Sequence, residues 1–197
     1  MKDQRTNHVA EILKLNRHMK LTILPLQNDV DFAADQLALN GNSQFWRRTA
    51  IRCGLALLEA TLWNMKHISP IVASLSGVRL TPDDLQTINE EKAGIKNGQP
   101  FARRQFPRFR ANVKATFSIF AKVHRVALLA DFNSGFDSLC DTYELRSRLM
   151  HPKRPFDPNV SDPDIDAAQR GANWLNQEFG RLMKQCEQEV PTILQPR

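Results

Sequence analysis

No apolar run in this chain approaches the roughly eighteen consecutive residues that a membrane span requires, and the N-terminal stretch is polar and charged rather than signal-like. A cytoplasmic protein with no membrane partner is the expectation. Cysteine is scarce: Cys53, Cys140 and Cys186 lie far apart, form no Cys-x-x-Cys pair and each fall on an apolar stripe, so they read as buried thiols. Histidines, carboxylates and cysteines nowhere gather at ligand spacing, so no metal and no cofactor are expected, and His8 and His18 read as surface residues. No stretch alternates with period two across a hairpin turn, and no segment repeats at a fixed period. Sheet-based and repeat architectures are thereby set aside.

One absence is local. Between Glu91 and Asp131 there is no carboxylate, while Lys92, Lys96, Arg103, Arg104, Arg108, Arg110, Lys114, Lys122 and Arg125 bring nine positive charges. The whole chain carries +6, so everything outside this segment nets −3. Basicity confined to one segment points to an anionic partner or, read structurally, to a solvated face. Within it, Phe101-Ala-Arg-Arg-Gln-Phe-Pro-Arg-Phe-Arg110 interleaves rings with guanidiniums. That pattern suits RNA, with Arg103, Arg104, Arg108 and Arg110 on phosphates and phenylalanines stacked on unpaired bases; it equally suits a connector whose rings are core.

What is present is helical periodicity. A first helix is expected over 5–20, with Val9, Ile12 and Met19 on one side. Pro25 then interrupts, and Asn28 caps a short second helix with Val30, Ala33 and Leu37 inward, closed by Asn40-Gly41. Residues 1–41 would be a helical extension of a domain spanning 42–197. The helix over 43–68 has the widest apolar arc, and its Arg48, Arg52 and Glu59 share one narrow strip. Ser69-Pro70 ends or bends it. Thr81-Pro82-Asp83-Asp84 starts a helix expected over 82–96, and Asn97-Gly98-Gln99-Pro100 is a turn. A helix over 107–130 places His124 at the edge of its apolar face. The last helix, 162–188, opens at Ser161-Asp162-Pro163-Asp164 and carries a seam of Ile165, Ala168, Ala172, Leu175, Phe179, Leu182 and Cys186. The fold class is all-α: a four-helix up-and-down core from 43–68, 107–130, 135–151 and 162–188, with additional N-terminal helices.

The remaining core helix, 135–151, is the most sharply bounded. Ser134 with Asp137 has the spacing of a capping box, and Pro152 pushes His151 out of the helical region. Phe136, Leu139, Cys140, Tyr143 and Met150 share one face, with Ser147 among them and Arg146 at its flank. Leu145-Arg146-Ser147-Arg148-Leu149-Met150-His151-Pro152 resembles the Arg-x(4–6)-His motif of the HEPN superfamily, small all-α proteins many of which are metal-independent ribonucleases. The resemblance extends to the helix end, the following proline, the basic Lys153-Arg154 and the amphipathic helix downstream.

What it implies is cleavage of RNA by its own 2′-hydroxyl, with His151 as base and Arg146 on the phosphate, no metal, and Lys153 and Arg154 on flanking phosphates. It further implies a homodimer with two motifs facing one cleft, a role as toxin or defence factor, and a cognate antitoxin as partner. Tyr143, Ser147 and Glu59 would support the pair. Ser147 stands where the family often carries Asn, Asp or His, and it can hydrogen-bond but not titrate. Glu59 is either a structural charge or the polar residue that HEPN proteins often carry on this earlier core helix. The alternative is a non-catalytic RNA-binding or protein-interaction module, in which Arg146 pairs with a carboxylate and His151 merely closes the helix.

Overall fold

The computed structural model describes the backbone of residues 2–96, 99–104 and 108–194, and the side chains of 14, 17, 20–90 and 108–189. The class is all-α: α1 (Lys2–Leu39), α2 (Gln44–Ser76), α3 (Pro82–Asn89), α4 (Phe109–Val123), α5 (Ser134–Met150) and α6 (Asp162–Leu194). One antiparallel hairpin, β1 (Glu91–Lys96) and β2 (Gln99–Arg104), is the exception, pairing Glu91 with Arg104 through Lys96 with Gln99. It replaces the second half of the helix expected over 82–96. That helix starts at its Thr81–Asp84 capping box as expected, then stops where Glu90 turns left-handed at φ 54°. Asn97 and Gly98, expected as a turn, lie outside the described residues, as do the side chains of Lys92, Lys96, Arg103 and Arg104.

Pro25, expected to interrupt its helix, does not, and Pro70, expected to end or bend its own, does not end it. Pro25 sits inside α1 and Pro70 inside α2. A proline in a helix interior costs about 3 kcal/mol, whereas burying a single large aliphatic side chain recovers about 1.5–3 kcal/mol. Around Pro70 the buried Ser69, Val72 and Ala73 hold the helix, and the Ser69 hydroxyl donates to the Met65 carbonyl at 2.7 Å. Around Pro25 the neighbouring Leu21 and Leu24 are exposed, leaving water free to solvate the unpaired carbonyl.

The chain divides into two compact units: a motif unit of residues 17–61 and 130–181, and a hairpin unit of 1–16, 62–129 and 182–197. Helices α1, α2 and α6 each contribute to both. In the hairpin unit, Val72 and Ala73 of α2, Ile88 of α3, and Ile119 and Val123 of α4 form a cluster flanked by Ile68, Val78 and Leu80. Lys66, 2% exposed, is neutralised by Glu90 at 2.8 Å. Helix α4 ends at Val123, not 130, because Arg125 adopts φ 59° and the Val126 N–H closes back on the Ala121 carbonyl at 3.1 Å.

In the motif unit, α5 and α6 approach so closely that a Cβ on Gly171 would stand 2.7 Å from the Leu139 Cα. Trp174 packs on Phe136 with ring centroids 4.8 Å apart, and its indole N–H donates to the Asp131 carbonyl at 2.6 Å. The cap of α5 is Asn133, whose side chain accepts from Gly135 N–H at 2.9 Å, so Ser134 is the first helical residue rather than the cap. The buried stripe of α5 is also rotated from the expected one. Phe136 and Leu139 are buried as expected, but the stripe continues through Ser138, Thr142, Leu145 and Leu149, while Met150 is 50% exposed and Cys140 and Tyr143 are half-buried.

Candidate active site

The polar strip on α2 faces the end of α5 and the proline-rich loop behind it. Gln44 grips Val160 from both sides, donating to its carbonyl at 2.9 Å and accepting from its N–H at 2.8 Å. Arg47 donates to the carbonyls of Gly41 (2.6 Å) and Val160 (3.1 Å) and pairs with Asp162 at 2.5 Å. Arg48 reaches the Pro158 carbonyl at 3.3 Å, and Arg52 the Leu149 carbonyl at 3.4 Å. Leu149 lies in the last turn of α5, where helix carbonyls lack intrahelical partners and the dipole favours a cation. The contacts to Gly41, Leu149, Pro158 and Val160 each satisfy a backbone group at a helix end or in a loop that would otherwise be left bare. The loop after the motif is thus stapled to the first third of α2.

Further along the same strip, Glu59 receives Arg146. The Nη2–Oε2 distance is 3.1 Å, with the side chains 30% and 39% exposed for Arg146 and Glu59 respectively. Arg146 also lies over the Tyr143 ring at 5.9 Å from its centroid. The guanidinium is therefore held at a fixed edge of α5 without being buried, and a single hydrogen bond to Glu59 leaves donors uncommitted.

His151 is the C-cap of α5 at φ −132° and ψ 62°, off the helical path as Pro152 requires. Its N–H donates to the Ser147 carbonyl at 3.0 Å, and its ring is exposed with no hydrogen bond among the described residues. Ser147 is exposed. Lys153 and Arg154 follow, exposed in their side chains but fixed in their backbones: both N–H groups donate to Asp157 Oδ2, at 2.7 and 2.8 Å. The Lys153 N–H above all, with that of Arg154 and the charges of Arg154 and Arg148, holds the Asp157 carboxyl below the usual range.

The structure thus brings Arg146, Glu59 and Tyr143 together and places His151, Lys153 and Arg154 on the adjoining exposed turn. Arg108 and Arg110 are exposed at the start of α4 in the other unit. Sequence reasoning missed Gln44, Arg47 and Asp157. The first two extend the visible Arg48–Arg52–Glu59 strip by one turn toward the N-terminus. Asp157, three residues beyond Arg154, has the spacing of a turn-closing acid. Among the described residues no three histidine, cysteine or carboxylate side chains gather to hold a metal. No described helix is long and apolar enough to cross a membrane. Cys186 is buried, its thiol pushed up to about 11 by desolvation, whereas Cys53 and Cys140 are half-buried rather than buried as expected.

The fold and site together define an all-α protein with an arginine–histidine motif clasped at a helix end. No family model matches the sequence, and neither a curated protein nor a solved structure matches it significantly.

Proposed function

We propose that this protein is a metal-independent endoribonuclease of HEPN type, acting as a toxin or defence factor. The observation that supports it best is the Glu59–Arg146 pair, which fixes a half-exposed guanidinium on the turn preceding an exposed histidine. In this reading Arg146 donates to the non-bridging phosphate oxygens as negative charge builds there. His151 takes the proton of the 2′-hydroxyl, since imidazole is the side chain that exchanges protons near neutral pH. The 2′-oxygen bonds to phosphorus, the bond to the 5′-oxygen breaks, and the products are a 2′,3′-cyclic phosphate and a 5′-hydroxyl. A second copy of the motif in a homodimer would protonate the leaving oxygen, and Lys153 and Arg154 would hold flanking phosphates. A cognate antitoxin is the partner this role implies.

A second reading rests on the same pair. A helical RNA-binding or protein-interaction module would also need Glu59 and Arg146 to tie α2 to α5, with His151 only closing the helix. Incubating bulk tRNA and single-stranded RNA in EDTA with wild type, Arg146→Ala and His151→Ala separates the two. Cyclic-phosphate ends abolished by both substitutions support the nuclease. Salt-sensitive RNA binding without cleavage, unchanged by either substitution, supports the module and overturns the nuclease.

A further inference from the structure

The motif unit contains an apolar cleft of about 170 Å³ bounded by α1, α2, α5 and α6. It includes neither Arg146 nor His151. Its α6 wall is Ile165, Ala168, Ala172 and Leu175, the first half of the apolar seam that the sequence displays. A seam of that kind is ordinarily covered, yet Ile165, Ala168 and Leu175 are only half-buried and Ala172 is exposed, while the fully buried line of α6 runs through Gly171, Trp174 and Glu178 instead.

Gly54 supplies an independent observation. A glycine in a helix interior costs about 1 kcal/mol relative to alanine, and a close approach normally explains it, as with Gly171 against Leu139. Gly54 has no such reason: a Cβ there would meet nothing within 4 Å. It lines the cleft from α2 and keeps it open.

We propose that this cleft binds a neutral, ring-sized apolar molecule that carries one hydrogen-bond donor, of the indole or phenol class. Size sets the ring: an apolar space of about 150 Å³ is enough to take benzene. Charge sets neutrality, because no residue of the lining is ionisable. Thr142 sets the donor. The Thr142 hydroxyl gives its proton to the Ser138 carbonyl at 2.8 Å, so it is left as an acceptor oxygen; the Gln169 amide gives one N–H to Asn173 at 3.0 Å and keeps its carbonyl oxygen and a second N–H.

The test is thermal unfolding of the full chain with indole, with benzoate as the charged control. At about fivefold excess over Kd, indole raises Tm by about 2–4 °C and benzoate does not. Gly54→Leu fills the cleft and abolishes the response; Ala172→Leu does the same from the opposite wall if the first variant fails to fold. Methyl NOEs from indole to Leu55 and Leu139 locate the ligand. No shift with indole or phenol up to their solubility limits overturns the proposal, as does an equal shift in wild type and the filled variant. RNA cleavage plays no part in this readout, so the two proposals stand or fall separately.

Discussion

Two helices of this protein end at a histidine followed by basic residues, and the two ends have opposite fates. At the end of α4, His124 is 8% exposed, tilted against the Phe120 ring at 4.2 Å, and its Nδ1 is bonded to the Phe120 carbonyl at 2.8 Å. Arg125, next in sequence, is bent left-handed and donates to the Ser76 carbonyl at the end of α2. At the end of α5, His151 is exposed, and Lys153 and Arg154 are fixed through their backbones while their side chains project into water. The same residue types close a helix in one place and are displayed in the other. Which one happens is decided by what covers the turn: aromatic burial and an orphan carbonyl at α4, a proline and a carboxylate-closed turn at α5.

The largest expected effect breaks this contrast at its displayed end. On the proposed nuclease reading, His151→Ala lowers the RNA cleavage rate by about 10²–10⁴-fold, the range of a lost general base, while His124→Gln leaves cleavage unchanged. If both substitutions depress cleavage equally, the displayed histidine has no special role. Next comes Arg125. Arg125→Ala loses the tie to Ser76 but keeps a left-handed residue, costing about 1–2 kcal/mol. Arg125→Gly loses the same tie but relieves the backbone, so it should be about 1 kcal/mol more stable than the alanine variant. Urea midpoints of the two variants read the difference.

A smaller effect is the pH dependence at the buried end. Desolvation pushes the His124 pKa below its ordinary 6.5, only partly offset by the Phe120 carbonyl. A base that protonates less readily when folded contributes stability that is complete above the unfolded value near 6.5 and lost as pH falls toward the lowered folded value. Wild-type Tm should therefore drop below about pH 6.5 more steeply than that of His124→Gln. Parallel acid limbs for the two proteins would remove His124 from the account.

The contrast also marks what was legible in the sequence. Capping boxes at Thr81 and Ser161 are local chemistry, and both form: Asp164 accepts from Ser161 N–H at 2.8 Å, as Asp84 does from Thr81 at 2.7 Å. The Arg48–Arg52–Glu59 strip was equally visible, because a helix wheel needs no neighbours. What was not legible depends on contacts remote in sequence. The end of α4 carries no glycine or proline, and its left-handed residue is an arginine bonded to a carbonyl 49 residues away. Pro25 read as a break and Pro70 as an end or a bend, but packing on either side of a proline is invisible to a local rule. The hairpin left half a signal: Asn-Gly favours a two-residue hairpin turn, but the flanking runs lack the alternating hydrophobic residues that complete the pattern. The helix expected over 82–96 ran through the first strand instead.

The last prediction concerns Glu59, where stability and activity part. Both Glu59 and Arg146 are about one-third exposed, and ion pairs of that kind contribute roughly 0–1 kcal/mol. Glu59→Gln keeps an acceptor for the guanidinium and removes its charge, so the unfolding free energy from urea titration should fall by less than about 1 kcal/mol. If the pair exists only to tie α2 to α5, nothing else follows, and RNA affinity and cleavage stay as in wild type. If it positions Arg146 for a phosphate, cleavage falls by more than that small stability loss explains, with kcat reduced and KM little changed, because the lost interaction is one made in the transition state. Glu59→Asp, which restores the charge one methylene short, then recovers part of kcat. A loss of activity that tracks unfolding across both variants would make the pair a structural tie and nothing more.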